Sequence, residues 1–141
     1  MGQYHLIVNL DKREYLYPHE FGDGFKLMEF GQSAGGTLTG LAILLAATNG
    51  RGGGDFFDPG VDDPVGSERW LPSGRWVGDR IAIIGDYFEN GDVPDLTVLD
   101  MQDLWSDEPQ TWTNISSLVA ASLLEAGEMG SHQEHRLTTR G

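Results

Sequence analysis

The chain has no cysteine, so disulfide bridges and thiolate chemistry are both excluded. It also lacks a long apolar run. The longest, LAILLAA at 41 to 47, is far too short to cross a bilayer. The N-terminus, MGQYHLIVNLDK, has neither a basic region nor an apolar signal core, so a cytoplasmic protein is expected. Gly2 does not complete a myristoylation motif, because Leu6 stands where Ser or Thr is required. Basic residues are scarce: 9 Lys and Arg face 22 Asp and Glu, which leaves a net charge of −13. Such a surface repels phosphates, which argues against direct nucleic-acid or anionic-membrane binding and favours a cationic partner.

What is present is 141 residues with 20 glycines, enough for one domain with many turns. The charge is concentrated, since residues 50 to 110 carry −10 of the −13. Tyr4, Leu6, Val8 and Leu10 alternate with His5, Ile7 and Asn9. The polar turn DKRE follows, and then Tyr15-Leu16-Tyr17, so an N-terminal β-hairpin is expected. Phe25 to Phe30 and Leu96 to Met101 read as further strands. Arg75 to Tyr87, centred on IAII, reads as a strand buried on both faces and hence central. Helices are expected over 37 to 48 and 115 to 126, the second capped by Thr113 or Asn114.

Residues 50 to 74 form a long Gly/Asp-rich loop, and 128 to 141 a polar tail beyond a single domain at 1 to 127. The expected class is α+β: a small, mostly antiparallel sheet of about five strands with two covering helices.

Three motifs invite chemistry. In VGDRIAIIGDYFENGD, Asp79 and Asp86 are seven residues apart, roughly 23 Å along a strand and on opposite faces, so they do not form one site. If Asn90-Gly91 turns a hairpin, Glu89 faces Asp92 and Asp86 faces Asp95, a cluster that Ca²⁺ would relieve. The EF-hand pattern nevertheless fails at Phe88 and Thr97, so a solvated acidic hairpin is the stronger reading.

GQSAG at 31 to 35 matches a nucleophile elbow around Ser33, yet too few residues precede it for that fold. Read as GQSAGGT it approaches a phosphate loop, with Thr37 where the lysine belongs. His132 and His135 lack a third zinc ligand, while His5 and His19 stand alone and read as structural. The four tryptophans read as core and loop anchors rather than stacking platforms.

The segments GQYHLIVNLDKREYLYP, KLMEF, WVGDRIAIIGDY and TNIS resemble an uncharacterised family with bacterial and phage members. Its pattern begins G-Q-Y-Y-x-x-V-N-L-D-K-K-E-Y and later carries W-x-G-D-R-x-x-x-x-G-D-Y. The resemblance implies no activity and does not include GQSAG. It directs attention to Asn9, Asp11, Lys12, Glu14, Lys26, Glu29, Asp79, Arg80 and Asp86. Lys26 with Glu29, and Asp79 with Arg80, would be buried ion pairs at strand ends; alternatively Lys26, Glu29, Asp79, Arg80 and Asp86 line a ligand or partner site. The expected function is a small acidic interaction protein, phage or host-defence related, that engages a cationic partner surface. The alternative is a hydrolase using Ser33 or a metal near Asp86.

Overall fold

The computed structural model describes residues 3–32, 35–47, 60–62 and 69–126. The expected hairpin is present: β1 (His5–Asn9) pairs antiparallel with β2 (Glu14–Leu16). Its loop closes through Arg13, which takes φ 56° and donates its N–H to the Asn9 carbonyl. The Asn9 side chain also accepts the Lys12 N–H at 2.7 Å, an Asx turn. β3 (Val61–Asp62) and β4 (Arg69–Trp70) pair as a separate two-stranded ribbon. β5 (Ile81–Gly85) runs antiparallel to β1, and β6 (Thr113–Asn114) runs parallel to β2. The main sheet therefore has four strands, in the order β5-β1-β2-β6.

The α+β class holds, with three corrections. The central strand is β1, whose Leu6, Ile7 and Val8 are fully buried, and not the IAII strand. β5 is an edge, and its Ile83 is 44% exposed beside fully buried Ile7. Second, the segment expected as a strand over 25 to 30 holds α1 (Leu27–Gly31). There the Glu29 carboxylate accepts the Lys26 N–H at 3.0 Å, and only Phe30 is buried, so no alternating face exists to pair. Third, 96 to 101 leads into α3 (Val98–Leu104). Asp100 accepts the Thr97 N–H at 3.0 Å, and Met101 and Leu104, one turn apart, are buried.

The two expected helices are present as α2 (Thr37–Leu44) and α4 (Ser116–Glu125). Asn114 accepts the Ser116 N–H at 2.9 Å at the start of α4. One sheet face packs Ile7 and Leu16 against Phe21, Phe30, Leu44, Trp76, Val119 and Leu123. The other packs Leu6, Val8 and Ile84 against Leu96, Met101, Leu104 and Trp112. So α2 and α4 cover one face, while α3 and its flanking loops cover the other. Part of the expected 50 to 74 loop is the β3–β4 ribbon; 50 to 59, 63 to 68 and the 128 to 141 tail lie outside the described residues. No helix among the described residues is long and apolar enough to cross a membrane.

Candidate functional site

The polar motif residues meet across the sheet rather than within their own segments. Asp79 accepts Asn9 Nδ2 at 2.9 Å and pairs with Lys12 Nζ. Arg80 pairs with Asp11 at 2.9 Å and with Asp95 at 2.8 Å, and its N–H donates to Asp11 at 2.7 Å. The expected Asp79–Arg80 pair is therefore replaced by two pairs to the β1–β2 turn. The reason is register: Leu10 N–H donates to the Arg80 carbonyl, which sets the turn against residues 79 and 80. Lys12 and Asn9 hold the Asp79 carboxyl below its usual range, and Arg80 does the same for Asp11. Deeper in, Glu14 is only 6% exposed and accepts Arg75 Nε at 3.1 Å and the Trp76 indole N–H at 2.8 Å.

Asp86 sits at the opposite end of β1, where it accepts the Tyr4 N–H at 3.1 Å. Lys26 and Glu29 lie near that end too, since the His5 N–H donates to the Phe25 carbonyl. His5 and Leu10 are five residues apart, about 16 Å along a strand. The five residues expected to line one site thus divide between two ends of β1. Lys26 and Glu29 are joined through the Lys26 backbone rather than as an ion pair, and both line an open cavity of about 500 Å³ with Tyr4, His19, Gly24 and Phe25.

The acidic hairpin is only a turn. Asp92 N–H donates to the Glu89 carbonyl, with Gly91 at φ 94°, and no ladder continues from it. Asp92 accepts the Glu89 N–H at 2.9 Å, while Asp95 is drawn to Arg80. Asp86, Glu89, Asp92 and Asp95 therefore do not converge as a Ca²⁺ site would require. Among the described residues no three His, Cys, Asp or Glu side chains gather to hold a metal ion.

Ser33 lies outside the described residues, as do His132 and His135. The start of α2 does bear on the phosphate-loop reading. Buried Asp23 accepts both the Thr37 N–H, at 2.8 Å, and its hydroxyl, at 2.6 Å. The helix terminus already carries a carboxylate, which fills the place a phosphate would take.

A second recess lies elsewhere. Tyr17 and Trp105 meet Phe25, with ring centroids 4.8 and 5.2 Å from it, and His19 stacks on Phe25 at 3.9 Å. On the far side of this aromatic wall a cavity of about 350 Å³ is lined by Tyr15, Tyr17, Trp105, Glu20 and Asp107, among others. Burial pushes the Tyr15 phenol up to about 12, so it stays protonated. Next to the cavity, Asp103 accepts the N–H groups of Gln110, Thr111 and Trp112 and so holds the 106 to 112 loop in place.

The Gln110 amide, followed by those of Trp112 and Thr111, lowers the Asp103 pKa. A depressed carboxyl contributes stability above its unfolded value, about 3.9, and loses it as pH falls through the folded value. Asp103→Asn should therefore lower the urea midpoint most at neutral pH, with the gap to wild type closing well below pH 4. A gap that widens in acid would contradict this assignment.

The sequence places Tyr15 and Tyr17 in the hairpin and Trp105 among the core and loop anchors, with no site around them; a Tyr-x-Tyr run and a distant tryptophan carry no local signal that they meet. Fold and recess together define a small α+β protein with an aromatic and acidic cavity. Known protein families, curated proteins and solved structures provide no match to the chain.

Proposed function

We propose that this chain is a small acidic binding protein that engages a basic surface on a protein partner. The observation that carries the reading is where its own cations go. Lys12, Arg13, Arg75 and Arg80 pair with Asp79, Asp100, Glu14, Asp11 and Asp95. These pairs engage four of the 9 Lys and Arg, the 22 Asp and Glu leave a surplus of acid, and exposed Glu89, Asp107 and Glu108 face solvent. The resulting negative field steers a cationic surface toward the protein. One form of this reading is imitation of a polyanion against a nucleic-acid-binding protein, in the phage or host-defence setting that the resemblance implies.

The hydrolase alternative has weaker support. Its metal half needs carboxylates that point in different directions, and its serine half rests on Ser33 alone.

Titration with a short oligo-arginine peptide tests the proposal. Binding is expected at low salt and should weaken on the order of tenfold by about 0.3 M salt. No association at low salt, or association indifferent to salt, would overturn it.

A further inference from the structure

We infer that the outer edge of β5 receives an extended basic segment of the protein partner as a fifth strand of the main sheet, an inference that rests on the binding role just proposed. The register shows which groups are on offer. Leu10 N–H donates to the Arg80 carbonyl and Asp86 N–H to the Tyr4 carbonyl, so the even-numbered residues from 80 to 86 bond toward β1. The N–H and C=O groups of Ile81 and Ile83 therefore point the other way, along the edge where the sheet ends. Gly85 points outward too, but its carbonyl takes the Phe88 N–H.

The side chains fit a docking strand as well. Ile83 is 44% exposed, and a strand laid along β5 would cover it. IAIIG carries neither a charged side chain nor a proline, the usual means of blunting an edge. The sheet's other edge, β6, is only the two polar residues Thr113 and Asn114. Ile83 and Ile84 point to opposite faces, yet both line a cavity of about 250 Å³ together with Gly85, Tyr87 and Asp92. That cavity wraps the end of β5, where an added strand would pass and place a side chain.

Charge decides the occupant. Asp86, Glu89 and Asp92 are exposed just beyond Gly85. Asp86 and Asp92 accept the backbone N–H groups of Tyr4 and Glu89, neutral donors that leave the negative charge in place. A partner strand with an apolar residue beside Ile83 and Lys or Arg beside these acids suits both parts of the edge. A second copy of this chain is a poorer occupant, because a net charge of −13 repels its like.

The test uses the full chain, ¹⁵N-labelled, and three blocked peptides: Lys-Val-Lys-Val-Lys-Val-Lys, its Glu-for-Lys counterpart, and the lysine peptide N-methylated at its three central residues. In the free protein the amides of Ile81 and Ile83 should exchange with solvent faster than those of Ala82 and Ile84. We expect the lysine peptide to slow Ile81 and Ile83 saturably and the glutamate peptide to leave them unchanged. The N-methylated peptide, which cannot donate to the edge, should bind on the order of tenfold more weakly. Ile83→Lys, at an exposed position, should weaken the lysine peptide on the order of tenfold. The peptide series decides the matter whether or not that variant folds. Equal binding of the three peptides, or protection that bypasses Ile81 and Ile83, would overturn the strand site. Slow exchange at both amides without peptide would overturn it too: the edge is then covered by a second copy if protection grows with protein concentration, and by the chain itself if it does not. If oligo-arginine still bound in a salt-sensitive way, the wider binding role would survive that result. If oligo-arginine also failed to bind at low salt, both would fall.

Discussion

Glu14→Ala should destabilise the protein by about 3 to 5 kcal/mol, a large share of the 5 to 15 typical of a domain. The Glu14 side chain is 8% exposed and is the shared acceptor for Arg75 and the Trp76 indole. Truncation leaves the Trp76 N–H, on a fully buried residue, without its acceptor, and leaves Arg75 without its counter-charge. The Arg75 side chain is 32% exposed and can retreat partly to water, which places the expectation at the lower end of that range. Replacing both partners by apolar residues, Glu14→Leu with Arg75→Met, should recover the part of the loss that comes from the unpaired Arg75 charge, while the Trp76 N–H stays without its acceptor. Urea unfolding of the two variants beside wild type decides the matter. A single mutant within 1 kcal/mol of wild type would mean that Glu14 is not the keystone of this face.

The same network shows how far the sequence could be read. The β1–β2 hairpin and the helices α2 and α4 are legible, because alternation, a polar turn and helical apolar spacing are local signals. Which apolar strand is central is not local. IAII and LIV look alike, and what separates them is that β1 gains partners on both sides. At 96 to 101, β-branched residues point to a strand, yet Thr97 and Asp100 spell a helix start. The capping signal was present in the sequence, and it prevailed because Met101 and Leu104 then bury on one side.

The motif charges were recognisable as paired, but their partners were not. Asn9 and Asp79 are 70 residues apart, and only the β1–β5 register brings them together. The cavity is less legible still. Tyr17 and Trp105 meet because β2 and the end of α3 share one face of the sheet, and nothing near either residue announces it.

Phe21→Ala should cost about 3 to 5 kcal/mol, and much of its interest lies in what it does to Gly40. Phe21 is fully buried in the short 3-10 helix Pro18–Phe21. A Cβ added at Gly40, inside α2, would meet the Phe21 ring and Val119 Cγ1 at 3.0 Å each. In the wild-type protein, Gly40→Ala should therefore cost about 1 to 2 kcal/mol through overpacking, despite the helix propensity that alanine adds. Once Phe21 is truncated, half of that obstruction is gone. The new methyl then occupies space that the ring vacated, so Gly40→Ala in the Phe21→Ala background should be neutral or stabilising by up to about 1 kcal/mol. The double-mutant cycle thus carries a coupling energy whose sign the geometry fixes in advance. Equal costs for Gly40→Ala in the two backgrounds would show that α2 meets α4 alone at this point, with the ring a bystander. A change of sign would show that the glycine is there to let the helix close onto Phe21.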